Sequence, residues 1–431
     1  MKVLVIGSGG REHALVWKLS QSPSVDEIVC APGNAGIGNI ARLVGLNAED
    51  VSALTDFAEA DGVDLTVVGP ERPLIAGIVD EFRARGLPVF GPSKAAARLE
   101  GSKAFTDRLL QRHGISRKRF EVFDDPEAAA AYVRSQPLPV VVKADGDAYG
   151  KGVVVAGQLA EGLQAIEDCM VRKVHGKAGE RVVVEECLVG QECSVKVITD
   201  GQALLPLPPA QDYKRIGEGD TGPNTGGMGC YSPVPAVSRE LFDDIVARFL
   251  EPTVRAMAAE GTPYTGCLYA GVILTDDGPE VLEYNCRFGD PETQVVLPLV
   301  DGDLVEVLLA ASEGRLDGVT LPWRDEACVC VVIASGGYPD SYEKGKPISG
   351  LEAAEDVEGV TVFHAGTALK DGAVCTNGGR VLGVTGRGAD LRATIARTYE
   401  AAECVRFEGA YYRRDIAARA LRALESGRTG A

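Results

Sequence analysis

The densest run of chemistry-bearing residues in this 431-residue chain is Val281-Leu282-Glu283-Tyr284-Asn285-Cys286-Arg287-Phe288-Gly289-Asp290-Pro291-Glu292-Thr293-Gln294. On a strand, residues two apart share a face, so Glu283, Asn285 and Arg287 project together. A carboxylate and an amide oxygen are hard donors suited to Mg2+, which keeps several waters and bridges substrate phosphates. Arg287 beside them suits a carboxylate or a transferring phosphoryl group. Asp290, Pro291 and Glu292 continue the polar wall. The competing reading is a half-exposed strand with its polar residues turned to water.

A second segment, Val140 to Val153, sets Lys143, Gly146, Gly150, Lys151 and Gly152 between two apolar strands. Phosphates need N–H groups unobstructed by Cβ and a neutralising cation, and this stretch has both. Only three residues separate Gly146 from Gly150-Lys151, and Gly152 stands where a P-loop needs Ser or Thr. The expectation is therefore a hairpin flap. Just after it, Val182-Val183-Val184-Glu185-Glu186-Cys187-Leu188 reads as a strand running into a linker. Such a linker can offer backbone groups to an adenine edge, and Glu192 can accept hydrogen bonds from a ribose. Gln211-Asp212-Tyr213-Lys214-Arg215 and Asp220-Thr221-Gly222-Pro223-Asn224-Thr225-Gly226-Gly227-Met228-Gly229 form a polar loop inside a folded region, a frequent sign of a functional loop. At the start, Gly7-Ser8-Gly9-Gly10 turns from a strand into a helix and can face an anion. It fails as a dinucleotide fingerprint, because Glu12 stands at the third glycine and Cys30-Ala31-Pro32 closes the second strand without an acid.

The elements that must carry these groups follow from apolar periodicity. Val3–Ile6, Glu27–Cys30, Asp64–Val68 and Pro88–Phe90 read as buried strands alternating with helices at Glu12–Ser20 and Pro73–Arg85, the pattern of a doubly wound parallel sheet. Helices are expected at Lys103–His113, Glu161–Val171, Arg239–Glu260 and Leu391–Glu403, and strands at Val140–Lys143, Gly152–Ala156, Val182–Glu185, Tyr269–Leu274 and Glu280–Asn285. The last hundred residues turn β-rich, with Asn377-Gly378-Gly379 as a turn signal. These breaks divide the chain into residues 1–101, 102–199, 200–325 and 326–431. The fold class is α/β and α+β multidomain.

Composition narrows the function. Lys and Arg number 44 against 62 Asp and Glu, a formal charge of −18. Such a chain repels a phosphate backbone, so no nucleic-acid partner is expected, and anionic ligands must meet a local basic pocket. No apolar run approaches the ~18 residues of a membrane span, so no membrane partner is expected. The eleven cysteines sit mostly in apolar strands and read as buried thiols of a reducing cytoplasm. No Ser/His/Asp or Cys/His constellation is present that would serve as a nucleophilic centre.

Taken together, G-S-G-G-R-E-H, P-G-N-A-G, G-P-E-R-P-L, G-S-K-A-F-T, K-A-D-G-D-A-Y-G-K-G-V, Q-D-Y-K-R, D-T-G-P-N-T-G-G-M-G, E-Y-N-C-R-F-G-D-P-E-T-Q and T-N-G-G-R-V-L resemble the ATP-grasp ligases and, within them, the phosphoribosylamine–glycine ligase family. The resemblance spans essentially the whole chain. It implies an ATP-grasp core with a flap, ATP as co-substrate, Mg2+ (or Mn2+) on Glu283 and Asn285, and a cytoplasmic monomer acting on ATP, glycine and 5-phosphoribosylamine. Lys103 and Lys143 would contact phosphates under the Gly146–Gly152 flap. Glu185, Glu186 and Leu188 would flank the adenine, and Glu192 the ribose. Arg287 and Asp212 would anchor glycine, with Arg287, Lys143 and Asp212 as the catalytic set. Gly9, Gly10, Asn34 and Glu71 belong to the phosphoribosylamine side, and Lys214, Asn224, Gly226, Gly227, Met228, Asp290 and Pro291 complete the substrate contacts. Two departures stand out. The flap has Asp147 and Tyr149 where relatives read K-A-D-G-L-A-A-G-K-G, and Ala270-Gly271-Val272-Ile273-Leu274 lacks the earlier acid that other ATP-grasp enzymes use as a second metal ligand. The rival readings are an ATP-grasp ligase or carboxylase for another carboxylate, a nucleotide-linked oxidoreductase and a non-catalytic nucleotide sensor.

Overall fold

The computed structural model of the chain describes residues 1–146 and 152–425. The amino-terminal sheet has five parallel strands in the order β3-β2-β1-β4-β5: β1 (Lys2–Gly7), β2 (Glu27–Pro32), β3 (Arg42–Leu43), β4 (Leu65–Val68) and β5 (Val89–Phe90). Its central strand is buried on both faces, as parallel strands are. Val3 and Val5 pack toward helix α1 (Gly10–Leu19) and the helix Leu304–Ser312. Leu4 and Ile6 pack the other way, toward Leu54, Ile78 and Phe82. The expected helix Pro73–Arg85 is two shorter helices, Glu71–Ala76 and Ile78–Ala84, because Gly77 adopts φ +103° between them.

A four-stranded sheet follows, in the order β6-β9-β7-β8, from β6 (Phe120–Phe123), β7 (Val140–Ala144), β8 (Val153–Ala156) and β9 (Val182–Glu186). Alternation along the strands decides the chemistry. Val140, Val142 and Ala144 of β7 and Val182 and Val184 of β9 pack with the helices Pro126–Ser135 and Leu159–Ile166. Period two then turns Lys143 and Glu185 to the opposite face.

The rest of the chain builds one eight-stranded sheet. Its strands are β10 (Gln191–Thr199), β11 (Leu204–Asp212), β14 (Gly229–Ser232), β15 (Gly266–Thr275), β16 (Gly278–Asn285), β17 (Ala327–Ala334), β18 (Val360–His364) and β21 (Arg380–Gly388), in the order β16-β15-β10-β11-β14-β17-β21-β18. The β14–β17 pairing carries this sheet across residue 325, where the sequence suggested a boundary. Two ribbons project from it, β12 (Arg215–Gly217) with β13 (Thr221–Asn224), and β19 (Thr367–Lys370) with β20 (Ala373–Thr376). The stretch read as a polar loop thus holds the first ribbon. Asn377-Gly378-Gly379 joins β20 to β21, which pair with different strands rather than with each other. The eleven cysteines are all free, nine of them buried. Among the described residues, no helix is long and apolar enough to cross a membrane.

Candidate active site

Three lysines converge on the end of β16. Lys103, at the start of the helix Lys103–Arg112, donates to Glu283 Oε2 at 2.8 Å. Lys143 and Lys118 each reach the carbonyl of Leu282, at 3.3 and 3.4 Å. Both also pair with Glu185 Oε2, at 2.8 and 2.9 Å, and Lys118 pairs with Asp107 at 3.0 Å. This network is buried: Lys143, Lys118, Glu185 and Asp107 are each less than 10% exposed. Burial works against ionisation of Glu185, but Lys143 and Lys118 win and hold its carboxyl down at about 2. Burial raises Asp107 to about 6 against the pull of Lys118. Lys103, foremost, holds Glu283 well below the usual carboxylate range, with Lys214 and Lys143 adding to it. Glu185 therefore bridges two lysines, while Glu186, one residue on, turns outward and accepts from Arg119 N and Nε at 2.8 and 2.9 Å. Leu188 follows, half-buried, beyond the end of β9.

Glu283, Asn285 and Arg287 lie together as strand periodicity requires. Arg287 Nη2 donates to Asn285 Oδ1 at 3.2 Å and pairs with Glu100 at 2.9 Å, while its Nε lies 3.4 Å from Glu71. Glu100 also accepts from Cys286 N at 2.7 Å, which fixes the strand end against the segment before Lys103. Burial raises Glu100; in Glu71 the attraction of Arg287 and Arg11 outweighs burial and lowers it. Among the described residues, no group of three or more His, Cys, Asp or Glu is placed to hold a metal. Glu283 and Asn285 nevertheless fit a cation that draws its remaining ligands from phosphate and water: both are hard oxygen donors, and Glu283 stays ionised.

The loop expected to contact substrate meets this centre from β11. Asp212 ends that strand, and burial, reinforced by Glu292 and Glu192, pushes its carboxyl up to about 7 despite nearby Lys214. Lys214 is spent on Glu192, at 2.8 Å, so the expected ribose acceptor and the expected substrate cation pair with each other. Glu292 accepts from Tyr269 Oη at 2.7 Å. Met228 is fully buried and its backbone N–H donates to Tyr213 O, so its side chain is core. Asn224 is exposed at the end of β13, opposite Arg215.

The amino-terminal turn lies against the same wall. Gly9 N donates to Glu12 Oε2 at 2.5 Å, and Arg11 Nε pairs with Glu12 Oε1 at 2.6 Å. A Cβ on Gly69 would collide with the Glu12 carboxylate, so glycine there makes room for it. Glu12 thus occupies the turn where a dinucleotide phosphate would need free N–H groups. A Cβ on Gly10 would strike the Gln294 amide at 2.5 Å, which places the turn on the Asp290–Gln294 segment. Asn34 spends its amide on the carbonyls of Ser8 and His364, both at 2.8 Å, and its Oδ1 accepts from Gly36 and Ile37. Gly226 and Asp290 are bridged through Arg380, which donates to Gly226 O at 2.6 Å and Asp290 O at 3.0 Å and pairs with the Asp290 carboxylate at 3.3 Å. A Cβ on Gly227 (φ +112°) would meet Pro291 at 2.5 Å.

The expected Gly146 precedes a gap in the description, and Gly152 follows it; Gly150 and Lys151, with Asp147 and Tyr149, lie outside the described residues. Sequence reasoning missed Lys118, Asp107, Glu100 and Arg380. Arg380 had a signal, the T-N-G-G-R turn; Lys118 sits in the run Arg117-Lys118-Arg119, which reads as a solvated basic patch.

Comparison with known proteins agrees with this architecture. Family models described as the phosphoribosylglycinamide synthetase N domain, ATP-grasp (A) domain and C domain match residues 1–100, 101–293 and 328–419. The chain is 52% identical over 424 residues to the phosphoribosylamine–glycine ligase of Vibrio vulnificus strain CMCP6, covering 98% of this chain and 99% of that one. It is similar to the crystal structure of the phosphoribosylamine–glycine ligase of Thermotoga maritima, with a TM-score of 0.84 and 35% identity, covering 96% of this chain and 100% of that one. A biotin carboxylase from Campylobacter jejuni shares the fold alone, at a TM-score of 0.74 and 14% identity, covering 96% and 93% of the two chains. The chain belongs to the phosphoribosylglycinamide synthetase family of ATP-grasp ligases.

Proposed function

We propose that the chain ligates glycine to 5-phosphoribosylamine, converting ATP to ADP and phosphate and yielding glycinamide ribonucleotide. The observation that carries this reading is the convergence of Lys103, Lys118 and Lys143 on residues 282–283, beside Arg287, in a chain matching the family end to end. Glycine's carboxylate attacks the γ-phosphorus of ATP, ADP leaves, and glycyl phosphate forms. The ribosylamine nitrogen then attacks the acyl carbon, phosphate departs with the carbonyl–oxygen bond, and the nitrogen loses a proton as the amide forms. No protein nucleophile takes part, so positioning and charge do the work.

Lys103 and Lys143 hold the phosphates, exchanging the carboxylates they now pair with for phosphate oxygens. Glu283 and Asn285 would hold Mg2+ or Mn2+, which when bound neutralises charge developing on the phosphates. Arg287 orients the glycine carboxylate, and Asp212, surrounded by Glu192 and Glu292, receives its ammonium. Leu188 and the backbone around Glu185 and Glu186 take the adenine, with Glu192 at the ribose. The Gly9–Gly10 turn, Asn34 and Glu71 shape the phosphoribosylamine side, with Asn224, Gly226, Gly227, Asp290 and Pro291 closing the substrate wall. We place the enzyme in the cytoplasm as a monomer; its free thiols support a reducing compartment. Coupled ADP release tests the reading: it is expected only when ATP, glycine and phosphoribosylamine are all present. Equal release without glycine would contradict it.

A further inference from the structure

The ribbon of β12 and β13 hangs from the residues assigned to glycine. Asp212 and Lys214 stand on either side of Tyr213 at its root. Where the chain returns, Thr225 donates to Lys214 O twice, from its backbone N–H at 2.7 Å and its hydroxyl at 2.8 Å. The turn of the ribbon, residues 218–220, is exposed, and Asp220 there takes a left-handed φ of +58°. A lone two-stranded ribbon is marginal in water, so its direction must be set by something it touches.

That something is the segment 411–419. Arg413 Nη1 donates to Arg215 O at 2.9 Å and to Asp220 Oδ1 at 3.0 Å, while its Nε and Nη2 hold Asp415, each at 2.7 Å. Asp415 also accepts from Gly219 N at 2.9 Å, Tyr411 Oη donates to Ile216 O at 2.9 Å, and Arg419 pairs with Asp220. The segment is itself anchored in the core. Tyr411 exchanges both backbone bonds with Ala334 of β17, and Tyr399 Oη donates to Arg413 O at 2.9 Å. Ile416 is buried so close to β14 that a Cβ on Gly229 would meet it at 2.7 Å. Arg413 is the member that reaches the site: its fully buried guanidinium lies over the Tyr213 ring, 4.7 Å from the centroid.

We infer that Arg413 is a positioning residue for the glycine side: by stacking on Tyr213 and pinning Arg215 and Asp220, it sets where Asp212 and Lys214 stand. It acts through those residues and touches no substrate, and the inference rests on the proposed assignment of Asp212 to glycine. A planar fork holds a carbonyl and two carboxylates at fixed angles while its face lies on a ring; an ammonium keeps the charge without that geometry. Loss of the cation also leaves Asp220 and Asp415, one on the ribbon and one on the segment that holds it, without the charge they share.

Two readouts test this in Arg413→Met, which keeps much of the bulk and drops the fork. In the coupled ADP assay the KM for glycine should rise about tenfold while the KM for ATP moves by less than about twofold. Arg413→Lys should recover only part of that loss. Independently of turnover, tryptic cleavage after Arg215, followed by mass spectrometry, should quicken about tenfold as the ribbon opens, with cleavage elsewhere unchanged. Asp220→Asn, at the exposed turn, should shift both readouts the same way by less, and stands in should Arg413→Met not fold. Equal rises in the two KM values, an unchanged KM for glycine, or unchanged cleavage after Arg215 would each overturn the inference. A wild-type protein that releases ADP without glycine would instead overturn the proposed function, and cleavage after Arg215 would still decide whether Arg413 holds the ribbon.

Discussion

The two halves of the proposed site, one assigned to the nucleotide and one to glycine, treat carboxylates in opposite ways. On the nucleotide side, Glu185 lies within 3 Å of two lysines and titrates at about 2. On the glycine side, Asp212 has Lys214 as a neighbour and yet titrates at about 7. Proximity to a lysine does not decide the matter; local balance does. Lys103, Lys118 and Lys143 face Glu185, Glu283 and Asp107, an even match that keeps Glu185 and Glu283 charged. Lys214 faces Asp212 and Glu192 and is committed to Glu192, while Glu292 adds a further carboxylate beside Asp212. On the proposed reading, one side trades carboxylates for phosphates. The other has negative charge to spare for an incoming ammonium. The linkage signs differ accordingly. Glu185, depressed from 4.5, contributes stability that is complete above its ordinary value and is lost as pH falls toward about 2. Asp212, raised from 3.8, binds its proton more tightly when folded, so its contribution falls as pH rises from about 4 to about 7.

Glu283→Gln is the most damaging break on the nucleotide side. It removes the charge that Lys103 pairs with and turns the one anionic metal donor into a neutral amide, and kcat should fall on the order of a thousandfold, with circular dichroism confirming the fold. Lys118→Met sharpens the same half by removing one of the two cations on Glu185 without touching Lys143. The KM for ATP should rise about tenfold with kcat little changed; equal losses in both would show that Lys118 does more than position Glu185. On the glycine side, Asp212→Asn should abolish a limb near pH 7 in the pH profile of kcat/KM for glycine, a parameter that reports groups of the free enzyme. A limb that survives the substitution belongs to another group. Arg380→Gln is the mildest. It loosens Gly226 from Asp290, and the KM for phosphoribosylamine should rise by a few-fold, as for one charged hydrogen bond.

Much of this was legible in the sequence because strand periodicity is rigid. Glu283, Asn285 and Arg287 at alternate positions had to share a face, and Lys143 at the end of an apolar strand had to be paired. What stayed hidden depends on contacts between distant segments. Lys118 looked like surface charge until β6 brought its neighbourhood against β9 and Glu185. Asp212 reads as an ordinary acid; only its burial in the folded chain, reinforced by Glu292 from 80 residues away, makes it unusual. The pairing of β14 with β17 was equally invisible, since a change of composition near residue 325 says nothing of which strands pair across it.

The most direct measurement is a crystal structure with a nonhydrolysable ATP analogue and Mg2+. The account predicts the triphosphate on Lys103 and Lys143, with Glu283 released from Lys103 and turned to the cation together with Asn285. A nucleotide lodged elsewhere, with the Lys103–Glu283 and Lys143–Glu185 pairs intact, would contradict it.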